Sequence, residues 1–71
     1  MTVPRLARRQ RELFTLVYVH PRTLTEAATA AGMSASDTLK TLDVLTLKNL
    51  VERRGRYYLP ARWVREARQA A

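Results

Sequence analysis

Leu6, Leu13, Phe14, Val17 and Tyr18 recur at spacings of three, four and seven, while Arg8, Arg9, Arg11 and Glu12 occupy the opposite positions. That period is helical, with one apolar face and one charged face. Pro4 suits the first turn, so the helix is predicted from Arg5. Pro21 ends it, because the residue before a proline, His20, is turned away from helical backbone.

The next stretch, LTEAATAAG, is a short Ala-rich helix that Gly32 stops by supplying left-handed backbone. It has two candidate starts. Thr23 with Glu26 three residues on spells a T-x-x-E capping box. Alternatively Thr25 is the cap, leaving Leu24 in a short extended stub beside Pro21 that pairs with a later strand. Thr25 is preferred, because an apolar Leu24 suits such a stub. Ala27, Ala28 and Ala31 give the helix a face with little bulk, open to close approach of another helix.

Ser34 and Asp37 repeat the cap pattern, so a third helix is predicted from Ala35 to Asn49, a residue that tolerates a left-handed terminal position. Its core stripe is Thr38, Leu42 and Leu45, with Leu39 beside them. Val44 and Leu47 lie on a second side, with Lys40 and Val51. A helix with two apolar stripes touches two things: either a sandwich within the chain or a second subunit. VERRGRYYL then reads as a hairpin, strands Leu50 to Arg53 and Arg56 to Leu59, with Arg54-Gly55 at the turn and Pro60 closing it. Tyr57 and Tyr58 point to opposite sides of a strand, so at least one belongs to the core. A last helix places Trp63, Val64 and Ala67 on one side and Arg62, Arg65 and Arg68 on the rest.

Charge sharpens this picture. The 71 residues carry a net +7, placed unevenly. Positions 1 to 22 hold five arginines against Glu12; positions 52 to 71 hold six against Glu52 and Glu66. The segment between them is slightly acidic, with Lys40 and Lys48 against Glu26, Asp37 and Asp43. Basic flanks around a helix pair suit a polyanion, through release of its condensed counterions. One domain of 1-71 is expected, with a core that needs tight helix packing or a partner subunit, since there is no cysteine to staple it. No apolar run reaches the ~20 residues of a membrane span. The basic start followed by LFTLVYV lacks a cleavage site, so it is not a signal peptide.

LTEAATAAGMSASDTLKTLDVLTLKNLVERRGRYYL resembles the winged helix-turn-helix domain of MarR-, ArsR- and IclR-type regulators. Glu26-Ala27-Ala28 match its first motif helix, Gly32-Met33-Ser34 its turn, and Ser36 to Leu45 its recognition helix. Leu50-Val51 lead into the wing, Arg53-Arg54-Gly55-Arg56-Tyr57-Tyr58. The resemblance implies a mainly α fold with a small β-hairpin: a three-helix core, a two-stranded wing and a C-terminal helix. It implies a double-stranded DNA-binding transcriptional regulator, without enzymatic activity, acting in the cytoplasm on the nucleoid. Two departures stand out. Asn49 replaces a frequent glycine. Asp37 puts an acid near the head of the recognition helix, where it either partners the Ser34 cap or accepts from a cytosine amino group.

The residue chemistry fits that resemblance. A helix of ~10–12 Å diameter enters the ~12 Å major groove with its first turns at the base edges. The polar outward positions there are Ser36, Asp37, Lys40 and Thr41, and Ser34 beside free backbone N–H groups suits a phosphate. Arg53, Arg54 and Arg56 surround the hairpin tip, where arginine reaches backbone or a narrow minor groove. With one histidine, no cysteine and no Gly-rich phosphate loop, neither catalysis nor a metal or cofactor is expected. His20 reads as a loop residue or phosphate contact. A homodimer on DNA is expected from the spare stripe and from Trp63, Val64 and Ala67; the alternative is that Trp63 and Val64 fold back on the first helix. Competing functions are a protein-interaction module, for which Asp37, Asp43, Val44 and Leu47 are suited, and non-specific nucleic-acid or RNA binding through the basic wing.

Overall fold

The computed structural model describes residues 5–70; Pro4, assigned above to the first helical turn, lies outside them. In chain order the elements are α1 (Arg8–Val19), β1 (Arg22–Thr23), α2 (Leu24–Ala31), α3 (Ala35–Leu47), β2 (Val51–Arg54), β3 (Tyr57–Pro60) and α4 (Arg62–Ala70). The helix pattern is as the periodicity predicts, but α1 begins at Arg8 rather than Arg5. Ala7 is extended, and its N–H donates to the Gln10 side chain at 3.1 Å, which satisfies one of the donors that a helix start leaves open. Pro21 acts as expected: His20 is extended at φ −158° and ψ 133°.

The preference for Thr25 as the cap of α2 is overturned. Thr23 Oγ1 accepts from Glu26 N–H at 3.2 Å, and Glu26 Oε1 accepts from Thr23 N–H at 2.9 Å. A cap at Thr25 would put Ala28 at the reciprocating position, where no side chain closes the box. The extended stub exists one residue earlier, in Arg22–Thr23, and Leu24 lies inside the helix. This stub pairs antiparallel with β3, Arg22 opposite Tyr58 and Thr23 opposite Tyr57, so the predicted two-stranded wing is part of a three-stranded sheet, order β1-β3-β2.

Both motif helices end by the same device. Gly32 (φ 66°) and Asn49 (φ 59°) take left-handed backbone. The next N–H of each reaches back five residues, Met33 to the Ala28 carbonyl and Leu50 to the Leu45 carbonyl, each at 3.0 Å. The helical part of α3 accordingly stops at Leu47, two residues short of the predicted end. The hairpin turn also moves, from Arg54-Gly55 to Gly55-Arg56. A two-residue hairpin loop favours glycine at its first central position, where φ is positive, and Gly55 has φ 61° there. Pro60 is not merely a stop: it pairs with Val51, beyond the reach of β1, so its missing N–H deprives no neighbour.

The core joins Leu13 and Val17 of α1, Ala27 of α2, Leu42 and Leu45 of α3, then Leu50, Val51 and Tyr58. Thr38 is also buried, its hydroxyl donating to the Ser34 carbonyl at 2.8 Å. Leu39, expected beside the stripe, is 38% exposed, and Val51, expected on the second side, is core. Tyr58 is 4% exposed and Tyr57 50%, which settles which of the pair packs inward. Trp63 and Val64 do fold back on α1: with Phe14, Tyr18, Leu50, Ala67 and Arg68 they line a cleft of about 290 Å³. Arg68 closes it, Nη1 donating to the Tyr18 carbonyl at 2.7 Å with the guanidinium 4.8 Å from that ring's centre. These residues therefore serve the chain's own packing and no longer argue for a second subunit.

Candidate nucleic-acid interface

With Thr38, Leu42 and Leu45 sealed in the core, helix geometry turns Ser36, Lys40, Asp43 and Leu47 outward, at spacings of four, three and four. Ser34 caps the helix, its Oγ accepting from Asp37 N–H at 3.1 Å. The Asp37 carboxylate takes no part in that cap and makes no ion pair among the described residues. Thr41 donates its hydroxyl to the Asp37 carbonyl at 2.9 Å, leaving its oxygen free to accept. Ser34, Asp37, Lys40 and Thr41 come together around an open concavity of about 470 Å³, completed by Gly32, Met33 and Arg9. Ser36 stands on the adjoining outward surface, exposed.

Arg9 is the residue that the sequence did not single out. It belongs to α1, where it is one of several arginines on a charged face. Only the packing of α1 against the α2–α3 turn brings this one to the head of α3. Its Nη1 lies 3.4 Å from Glu12 and 3.5 Å from the Ala31 carbonyl, both long contacts. The nearest legible signal was the helical phase of α1: Arg9 precedes Leu13 by one turn and so lies beside the apolar face, whereas Arg8 and Arg11 are turned further from it.

At the wing, the three arginines are not equivalent. Arg53 is folded onto its own hairpin: Nε donates to the Gly55 carbonyl at 2.9 Å, and the guanidinium lies 5.9 Å from the Tyr58 ring centre. Arg54 Nε is 3.4 Å from Glu52 Oε1, which also lies 2.8 Å from Arg65 Nη1 of α4. Both contacts are off the hydrogen-bonding line, so they are charge contacts rather than directed bonds. Arg56, in the turn, is exposed and has no acidic partner among the described residues.

Elsewhere, Glu66 pairs with Arg62 at 2.8 Å and Glu12 with Arg8 at 3.3 Å. His20 Nδ1 sits 2.7 Å from the Pro21 carbonyl, a local loop contact. The Thr23 backbone N–H, then the Thr23 hydroxyl, hold the Glu26 carboxyl below the ordinary carboxylate range. Among the described residues, no three His, Cys, Asp or Glu side chains gather as a metal site, and no helix is long and apolar enough to cross a membrane.

A three-helix core whose third helix is exposed along one polar face, followed by a basic hairpin in a three-stranded sheet, is the winged helix-turn-helix fold. Solved structures share it. Rv1404 from Mycobacterium tuberculosis matches with a TM-score of 0.75 at 21% identity, over 90% of this chain and 49% of that one. The chain thus spans about half the length of Rv1404. Mb0332 from Mycobacterium bovis, described as a homodimeric winged helix-turn-helix DNA-binding domain and a possible ArsR-family transcriptional regulator, matches at 0.72 and 26% identity, over 90% and 68%. Reduced HlyU from Vibrio cholerae matches at 0.72 and 17%, over 90% and 73%. Neither a protein-family model nor a curated protein sequence matches the chain.

Proposed function

We propose that this protein is a sequence-specific double-stranded DNA-binding transcriptional regulator, acting by binding and not by catalysis, in the cytoplasm on the nucleoid. The observation that carries the proposal is α3: its inward face is locked in the core while its first turns offer Ser36, Asp37, Lys40 and Thr41 to the outside. A rigid helix with polar side chains at its exposed N-terminal turns is what reading base edges in the major groove requires. Arg56 and Arg53 of the wing and Arg9 of α1 would meet the phosphate backbone on either side. The likeness to Mb0332, a DNA-binding domain of the same fold, supports the proposal. Because Mb0332 is homodimeric, we extend it to a homodimer on half-sites one helical turn, ~34–36 Å, apart. Sedimentation of the free protein and of its DNA complex tests this; a one-to-one complex at a site without dyad symmetry excludes the dimer.

Binding to duplex DNA at two salt concentrations, with mixed-sequence competitor and then selection from a random pool, tests the main proposal. Salt-dependent binding with an enriched sequence supports it. Strong salt dependence without enrichment indicates non-specific binding. A specific observation favours a second function: Leu47 is 87% exposed on the same outward face as Asp43. An apolar side chain beside an acid is better matched to a protein surface than to phosphates. Absence of DNA binding at low salt would favour this interaction module.

A further inference from the structure

The Asp37 carboxylate has no ion-pair partner among the described residues. The cap at the head of α3 uses the Asp37 backbone N–H, so the side chain is spared. Lys40 follows three residues later and Arg9 lines the same concavity, yet neither pairs with it. A first-turn acid does gain from the helix dipole, and that suffices for the free protein. In a groove walled by phosphates, however, an acceptor-only group is repelled unless it meets a donor.

The major groove offers two exocyclic donors, cytosine N4 and adenine N6. Adenine places its N7 acceptor next to the amino group, against which a carboxylate is repelled. Cytosine presents no acceptor on that edge. Lys40 has the opposite character: its ammonium only donates, and guanine presents only acceptors, O6 and N7. Three residues of helix separate the two groups by ~4.5 Å of rise and a little under a full turn. They therefore share one face, at a spacing close to one ~3.4 Å base step.

We infer that Asp37 and Lys40 form a two-residue reader of opposite hydrogen-bond polarity, selecting a cytosine by its amino group and a guanine within one base step of it. The inference rests on the proposed DNA-reading function and adds to it the composition of the recognised element. Thr41, which lines the same concavity and has its hydroxyl proton committed to the helix, adds a further acceptor beside Asp37.

The test begins with random-pool selection for the wild type, Asp37→Ala and Lys40→Ala. Ser34 keeps its cap partner in Asp37→Ala, because that partner is a backbone N–H; a circular dichroism melt verifies it. The wild type should enrich a C and a G no more than one step apart. Asp37→Ala should lose the preference for C alone. In the selected duplex, replacing that cytosine by 2-pyrimidinone, which lacks the amino group, should weaken wild-type binding by roughly 5- to 150-fold. The same replacement should leave Asp37→Ala within about twofold. Equal weakening of both proteins overturns the inference. So does an Asp37→Ala variant that binds every sequence more tightly with its consensus unchanged, for then the carboxylate only repels. If the wild type enriches nothing, the DNA-reading function itself fails; enrichment without the C–G element refutes this inference alone.

Discussion

Lys40 and Arg56 stand alike in lacking an acidic partner among the described residues, but they stand in different places, and different losses should follow from removing them. Lys40→Ala should relax preference at one or two base positions, worth ~1–3 kcal/mol of discrimination, while non-specific affinity falls less. A selected sequence identical to that of the wild type would show that α3 is not the reading element. Arg56→Ala should instead weaken all sequences alike and make the slope of log affinity against log salt shallower by ~0.9. Removing Arg53, Arg54 and Arg56 together sets an upper limit of ~2.7 on that change, if each neutralises one phosphate. The contacts of Arg54 with Glu52 and of Arg53 with Gly55 make a smaller value the expected one. An unchanged slope in the triple variant would mean that the wing does not meet the backbone. The inequality of these arginines could not be seen in the sequence. It arises because Arg53 folds onto the Gly55 carbonyl and Arg54 leans to Glu52, each two residues away, in side-chain conformations that residue identity alone does not encode.

Among the elements, α2 shows how much a short helix depends on its first turn. Its cap is reciprocal, and the Thr23 donors that hold Glu26 ionised lower its pKa below the ordinary carboxylate range. A depressed carboxyl group contributes stability above its unfolded pKa and loses it as pH falls through the folded one. Thermal melts from pH 5 down to pH 3 should therefore fall more steeply for the wild type than for Glu26→Gln, whose amide oxygen keeps the bond to Thr23 without titrating. Parallel curves would show that the box does not set the acid response. This element also marks how far local signals carry. Gly32, Asn49, Pro21 and the Ser34 cap were legible because each acts through its own backbone neighbourhood. Two caps compatible with LTEAATAAG could be separated only by noticing that Ala28 cannot answer Thr25. The turn at Gly55-Arg56 was displaced by one position because a strand boundary depends on its partner's register.

For the molecule as a whole, the core is small and each large side chain in it matters. Leu42 is fully buried at the junction of α3 with the rest of the core. Leu42→Ala should lower the unfolding free energy by about 2–5 kcal/mol, a large part of the ~5–15 kcal/mol a small domain has. Leu47→Ala, on the same helix but outside the core, should change it by no more than ~0.5 kcal/mol. Urea titrations of the two variants check the contrast; comparable losses would mean that Leu47 is covered in solution, as a partner subunit would cover it. The three-helix core and the basic hairpin were readable from periodicity, because a 3.6-residue pattern and a glycine turn are properties of contiguous residues. The closure of α4 on α1 was one of two alternatives that the pattern of Trp63 and Val64 allowed, and the arrival of Arg9 at the head of α3 was not read at all. Both depend on which faces meet after the helices form: the phase of α1 sets Arg9 beside the apolar face without encoding what packs there.

The single tryptophan of the chain turns one of those long-range contacts into a signal. Trp63 donates its indole N–H to the Asn49 carbonyl at 2.6 Å, linking α4 to the left-handed residue just after α3. Its ring is half-buried, so its emission should shift to longer wavelength when that hydrogen bond opens to water. The fluorescence of the unlabelled protein therefore reports whether α3 changes its seat when DNA arrives. An emission maximum that stays fixed on saturation with duplex would mean the helix docks as a rigid part of the domain, and a red shift would time its movement. Asn49→Gly, which keeps both the left-handed backbone and the carbonyl, should leave the emission of the free protein unchanged; a shifted maximum there would show that the indole senses something other than this contact.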